Sequence, residues 1–209
     1  MVTGLFGKGL YSPKVAARVA QIRYQNFQAW AKANLIHPAF QASITTKSEN
    51  VYSYYDLLLI RLIKRLRDKH FKAKQIKVAL DTIAMMSGND PHGWTRATIL
   101  IDANMIVAVL PEKRDWPIAA SKGPQKIEVI FFPELMQELE RELVPNQFRY
   151  VEINPEVLGG APVVKGTRIP TNLVRLVREG GQDPKEAYPE LNDLQVKDAI
   201  AYEEFLVAA

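Results

Sequence analysis

The chain has 209 residues, 47% hydrophobic and 24% charged, enough apolar material for one large soluble domain or two to three small ones. It holds no cysteine, which excludes disulfides and thiolate zinc sites and suits a cytoplasmic setting. The net charge of +4 is uneven: residues 1–86 carry +10, residues 87–149 carry −2 and residues 150–209 carry −4, so the front suits a polyanion and the rear a different partner.

The opening MVTGLFGKGL is too glycine-broken for a secretory signal, and no apolar run approaches the roughly twenty residues of a membrane span. Ser12 and Pro13 then read as a helix start, with a hydroxyl to cap free amides and a proline whose missing donor costs nothing there. Val15, Ala16, Val19 and Ala20 recur at helical spacing. The pattern predicts that Ile22 closes this helix, that Arg23 to Gln25 make a turn, and that a second helix starts near Asn26. Phe27, Trp30 and Ala31 share its inward stripe, which leaves Arg23, Tyr24, Gln25, Gln28 and Lys32 outside. Two short helices with an amide-rich outer face are what a helix-turn-helix presents to a major groove. Gln pairs with adenine edges, and Arg or Lys with guanine or phosphate. An ordinary helical hairpin in water has the same pattern, and the surrounding charge favours the duplex.

Residues 39–50 form a polar loop of the length of a wing, with Lys47 and hydroxyls placed for phosphates; composition alone fits a plain surface loop as well. Ser53 caps the next helix with Asp56 in capping-box position. Leu58, Leu59, Leu62, Ile63 and Leu66 form its apolar face. Phe71 anchors a turn, and a further helix follows from about Ala73 to Met86 with Ile76, Leu80 and Ile83 inward. Arg61, Lys64, Arg65, Arg67, Lys69, Lys72, Lys74 and Lys77 are opposed only by Asp68. Such a run beside a recognition helix points to phosphates, with Arg61, Lys64 and Arg65 the nearest candidates.

In order and in its aromatic landmarks, from Trp30 and Leu35-Ile36-His37-Pro38 to Tyr52-Ser53-Tyr54-Tyr55-Asp56-Leu57, the front resembles the MerR-type winged helix-turn-helix over roughly residues 10–86. It departs from that family in lacking a long dimerising helix afterwards.

Ser87 to Pro91 break the chain. Ala97 to Ile101 and Met105 to Leu110, joined through Asp102-Ala103-Asn104, predict a β-hairpin. KIEVIFF at residues 126–132 predicts a strand, or the start of a helix running through Pro133 to Leu143. Glu134, Glu138 and Glu142 on that helix read as a solvated stripe rather than metal ligands. Residues 87–149 are thus expected to be a small connector or dimerisation segment.

In residues 150–209, Gly159-Gly160 and Lys165-Gly166 bracket an expected hairpin. Thr171 is expected to cap a helix carrying Leu173, Leu176 and Val177, which Gly180-Gly181 stop. Asp183-Pro184 start a second helix, and Asp193 starts a third with Val196, Ile200 and Tyr202 inward. Asn154-Pro155, Gly159-Gly160, Pro162-Val163, Gly166 to Pro170, Gly180 and Tyr188-Pro189 with Leu191 closely resemble a small antitoxin-like bacterial domain. With a helix-turn-helix ahead of it, the resemblance implies the antitoxin of a VapBC-type pair. Such a protein silences a cognate PIN-like toxin, a ribonuclease, and represses its own operon as a homodimer on operator DNA. Arg168 is expected either to brace the hairpin through carbonyls or, with Arg175 and Tyr202, to contact that partner.

His37, His70 and His92 have no partner at ligand spacing, and no nucleophile–base arrangement can be assembled. The expectation is a mainly α protein with small β elements (α+β), non-enzymatic, without metal or cofactor. A stand-alone transcriptional regulator and a protein–protein adaptor without DNA binding remain the alternatives.

Overall fold

In the computed structural model, which describes residues 10–39, 50–87, 93–102, 105–109 and 128–207, Ser12 follows strand β1 (Leu10–Tyr11) and caps α1 (Pro13–Val19). Its Oγ accepts from the Val15 amide at 3.3 Å. Helix α2 (Tyr24–Lys32) starts two residues earlier than expected, because Arg23 is already extended and serves as its N-cap. The turn between the helices is correspondingly tight. Strand β2 (Tyr52–Ser53) pairs antiparallel with β1, Tyr11 opposite Tyr52. Ser53 and Asp56 form the reciprocal capping box of α3 (Tyr54–Asp68). Helix α4 (Ala73–Ser87) follows after a tight turn at His70 and Phe71.

The expected hairpin forms between β3 (Thr98–Asp102) and β4 (Met105–Val109), Thr98 opposite Val109. Residues 128–143 take both forms proposed for them: β5 (Glu128–Phe131) joins the far side of β3, and α5 (Phe132–Leu143) grows directly out of it with Pro133 in its first turn. One buried cluster runs through these pieces. Val15, Ala16 and Val19 of α1, Phe27 of α2, Leu58, Leu62 and Ile63 of α3, Ile76 and Ile83 of α4, Ile99 of β3 and Phe132, Leu135, Leu139 and Leu143 of α5 all belong to it. The middle of the chain therefore shares its core with the front. Apolar periodicity supplies the cause, since α5 repeats leucine every fourth residue and needs a partner face.

At the rear, β6 (Val151–Ile153) pairs with β7 (Pro162–Val164), and α6 (Thr171–Glu179), α7 (Pro184–Ala187) and α8 (Asp193–Val207) follow. Two expectations are corrected here. Pro170, not Thr171, is the N-cap of α6, and the Thr171 hydroxyl points inward to donate to Glu203 at 2.5 Å. The buried positions of α6 are Thr171 and Val174, while Leu176 is 40% exposed.

The rear packs directly on the front. The Tyr11 hydroxyl donates to the Gly160 carbonyl at 2.8 Å, and Arg18 of α1 donates to the Phe205 carbonyl at 3.3 Å with its guanidinium 4.4 Å from the centre of the Phe205 ring.

Candidate nucleic-acid interface

The outer face of α2 is built by the burial of its inner one. Phe27 is 2% exposed and meets the Tyr52 ring edge-on at 5.0 Å, and Trp30 and Ala31 lean on the same core. At 100° per residue this anchor places Gln25, Ala29 and Lys32 at the centre of the outward face, with Gln28 and Asn26 on its flanks. All five are exposed, as is Arg23 at the entrance. Asn26 and Ala29 were missed by the sequence reading, although its inward stripe of Phe27, Trp30 and Ala31 already leaves both outside. An Asn can pair with adenine as Gln does, and an Ala methyl suits the thymine methyl. Tyr24 lies nearer the inner side, its ring stacked at 6.2 Å on Phe27 and 41% exposed.

The cations that follow divide into two groups. Arg61, expected at the interface, is instead turned inward with a side chain 11% exposed. It donates to the Val19 carbonyl at 2.8 Å and to Glu138 of α5 at 2.9 Å. Arg65 joins the same carboxylate, Lys64 pairs with Asp68 one turn on, Lys69 pairs with Glu128, and Arg67 donates to the Phe71 carbonyl. Lys72, Lys74 and Lys77 are exposed and form no ion pair among the described residues. Five of the eight cations of the basic run thus have partners within the protein, Arg61 most deeply, since a guanidinium near a carbonyl and a carboxylate gains a charge-assisted bond there. Lys47 and the wing lie outside the described residues.

Glu138, expected on a solvated stripe, is instead partly buried and paired with Arg61 and Arg65. Partial burial alone would raise its carboxyl, but hydrogen bonds from Arg61 and Arg65 and their charges outweigh that and hold it below the ordinary value. Glu142 of the same stripe accepts from Gln21 Nε2 at 2.5 Å, and Glu140 meets the Tyr54 hydroxyl at 3.5 Å.

At the rear, Arg168 is exposed and bonds no carbonyl among the described residues, so it does not brace the hairpin. Arg175 pairs with Glu179 on α6 at 3.1 Å. Tyr202 is corrected as a partner contact: it is fully buried against Phe148 and Phe205, where burial pushes its phenol far up. Among the described residues no three acidic or histidine side chains gather as metal ligands would, and no helix is long and apolar enough to cross a membrane.

A short helix pair with one amide-rich outer face, closed by a two-stranded ribbon ahead of a capped third helix, defines a helix-turn-helix domain. Comparison with known proteins gives the kind. Residues 11–83 match the family described as MerR HTH family regulatory protein, and residues 151–202 match a family described as a protein of unknown function (DUF433). The chain thus carries a MerR-family helix-turn-helix domain in front and a DUF433 domain behind. An uncharacterized HTH-type transcriptional regulator of Mycobacterium bovis is 29% identical over 80 residues, which is 38% of this chain and 36% of that protein. Uncharacterized HTH-type transcriptional regulators of two Mycobacterium tuberculosis strains, CDC 1551 and H37Rv, align to the same extent. The chain spans little more than a third of the length of these relatives.

Proposed function

We propose that this protein is a DNA-binding transcriptional regulator that lays α2 in the major groove of its operator. The observation that carries this reading is the exposed outer face bearing Gln25, Asn26, Gln28 and Lys32 on the second helix of a MerR-family helix-turn-helix. The mycobacterial relatives are named as transcriptional regulators, which points the same way. Arg23 and Lys32 grip the edges of the groove, and Lys72, Lys74 and Lys77 supply long-range attraction. Two copies reading paired half-sites give the specificity that one short helix lacks.

In its finer form the reading is an antitoxin that represses its own operon while its rear domain silences a PIN-like ribonuclease toxin. The Gly166-Thr167-Arg168-Ile169-Pro170 motif and the −4 charge of residues 150–209 support it. Arg168 and Arg175 are the candidate contacts that remain at or near the surface.

Titration against the duplex upstream of its own gene at several salt concentrations tests the DNA role. Affinity should fall steeply with salt, and affinity that ignores salt rules the role out. The double change Gln25→Ala, Gln28→Ala should remove about 1–3 kcal/mol of base discrimination per lost bidentate pair. Unchanged preference would place the reading helix elsewhere. For the antitoxin form, the neighbouring reading frame should be lethal when expressed without this chain and harmless with it.

A further inference from the structure

Helix α5 lies outside both matched stretches, yet it touches the helix-turn-helix where its geometry is decided. The last four carbonyls of α1 need donors from beyond the helix. Ala16 takes the Ala20 amide at 3.1 Å, Ala17 the Ile22 amide at 3.0 Å and Arg18 the Gln21 amide at 2.8 Å. The last two bonds make a Schellman turn, which requires the left-handed conformation that Gln21 adopts at φ 56°. The fourth carbonyl, Val19, takes Arg61 Nη1 at 2.8 Å.

That arginine does not stand alone. Its Nη2 is held at 2.9 Å by Glu138 of α5, and one turn further along α5 Glu142 accepts from the Gln21 side chain at 2.5 Å. Two carboxylates four residues apart therefore hold the start of the link between α1 and α2, Val19 through Arg61 and Gln21 directly. The platform that carries them is rigid, since Phe132, Leu135, Leu139 and Leu143 of α5 are all fully buried. A non-glycine residue in the left-handed region costs about 1–2 kcal/mol, so a link built on Gln21 has reason to be held from outside.

We propose that Glu138 and Glu142 are positioning residues for DNA recognition, fixing the angle at which α2 leaves α1. This rests on the DNA-binding reading of α2. Both carboxylates face α1 and α3 rather than the outer face of α2, so their loss should blur base reading while leaving phosphate attraction intact. Specific binding then depends on a helix that the helix-turn-helix family match does not include.

The test uses the full chain, a preferred duplex selected from a random library, and an unrelated duplex of equal length. Glu138→Ala and Glu142→Ala should each weaken the preferred duplex about tenfold or more, while the unrelated duplex changes less than about twofold; such selective loss is a change in discrimination and not in charge contact. Glu142→Gln, which keeps an oxygen for Gln21, should bind as the parent does. Circular dichroism checks that each variant is folded. Should Glu138→Ala unfold, the pair Gln21→Ala and Glu142→Ala decides alone: their effects on the preferred duplex must be less than additive. Equal losses on both duplexes, no loss, or full additivity would overturn the positioning role. A parent protein that prefers no duplex would instead sink the DNA-binding reading itself.

Discussion

Gly160 joins the two ends of the chain, and replacing it by alanine measures how firmly they are fastened. Its φ is +82°, and its carbonyl receives the Tyr11 hydroxyl at 2.8 Å. A Cβ added there would stand 2.7 Å from Tyr54 Cβ and 2.9 Å from Cγ, the base of a ring that is fully buried at the start of α3. Neither atom can swing aside without moving the helix. Gly166 is the control, because its φ is +77° but nothing lies within 4 Å of its added Cβ. Left-handed strain costs alanine about 1–2 kcal/mol, offset by about 0.4–1 kcal/mol from a stiffer unfolded chain. Gly166→Ala should therefore lose about 1 kcal/mol. Gly160→Ala adds an overpacking cost of about 1–3 kcal/mol and should lose about 2–4 kcal/mol in all. At about 2–4 °C per kcal/mol for a chain of this size, calorimetry should show a drop of about 5–15 °C at Gly160 against a few degrees at Gly166. Equal losses at the two glycines would mean that Tyr54 does not press on this turn, and the described junction would be wrong.

Two further changes probe single features. Burial raises the Glu203 carboxyl above its ordinary value of 4.5, with the Thr171 bond and the Arg175 charge opposing. The folded state thus holds this proton longer than the unfolded chain, so its contribution worsens as pH climbs from 4.5 through the raised value. Glu203→Gln should stabilise the protein at neutral pH and flatten that part of the profile in urea unfolding; a parallel profile refutes it. His70 is exposed at φ 67° in the Schellman turn that closes α3, with Phe71 N–H bonded to the Leu66 carbonyl at 3.1 Å. His70→Gly should raise stability by about 0.5–1 kcal/mol in a thermal melt, and a loss would show that the side chain is needed.

Local signals were readable in the sequence because their partners sit within a few residues. Ser12 before Pro13, the Ser53 and Asp56 box, the hairpin around residues 98–109 and the stop at Gly180-Gly181 all belong to this group. Polar partners far apart in the chain were not readable. Arg61 and Glu138 are 77 residues apart, and no spacing rule tells whether a cation on an amphipathic helix faces a phosphate or a carboxylate. Left-handed conformations at Gln21, Asn34 and His70 also went unseen, since Gly is the residue that announces such a turn. A signal was nevertheless present: Ile22, Leu35 and Phe71 each place an apolar residue directly after the turn, the hydrophobic contact that accompanies a Schellman motif. Asn26 and Ala29 were passed over even though the inward stripe of Phe27, Trp30 and Ala31, which the structure keeps, already leaves both outside.

What unites these features is that α1 serves as a shared wall. Its Arg18 lies on Phe205 of α8, the turn after it is held by Glu142 of α5, and Val19 at its end is capped from α3. The outer face of α2 stays exposed. The rear domain therefore packs on α1, the neighbour of α2, and is not a passenger on a tether. Its seam with the front is also where polar groups are least well satisfied: Arg18 Nη2 and the Tyr202 hydroxyl are buried there with no hydrogen-bond partner among the described residues. Each such group costs about 1–3 kcal/mol, so the seam is held by ring packing and two carbonyl bonds against an internal penalty. A partner that grips the rear domain can change DNA binding only as far as it prefers one arrangement of this seam over another. Such a preference would reach α2 through α1, the helix that borders every other part of the support.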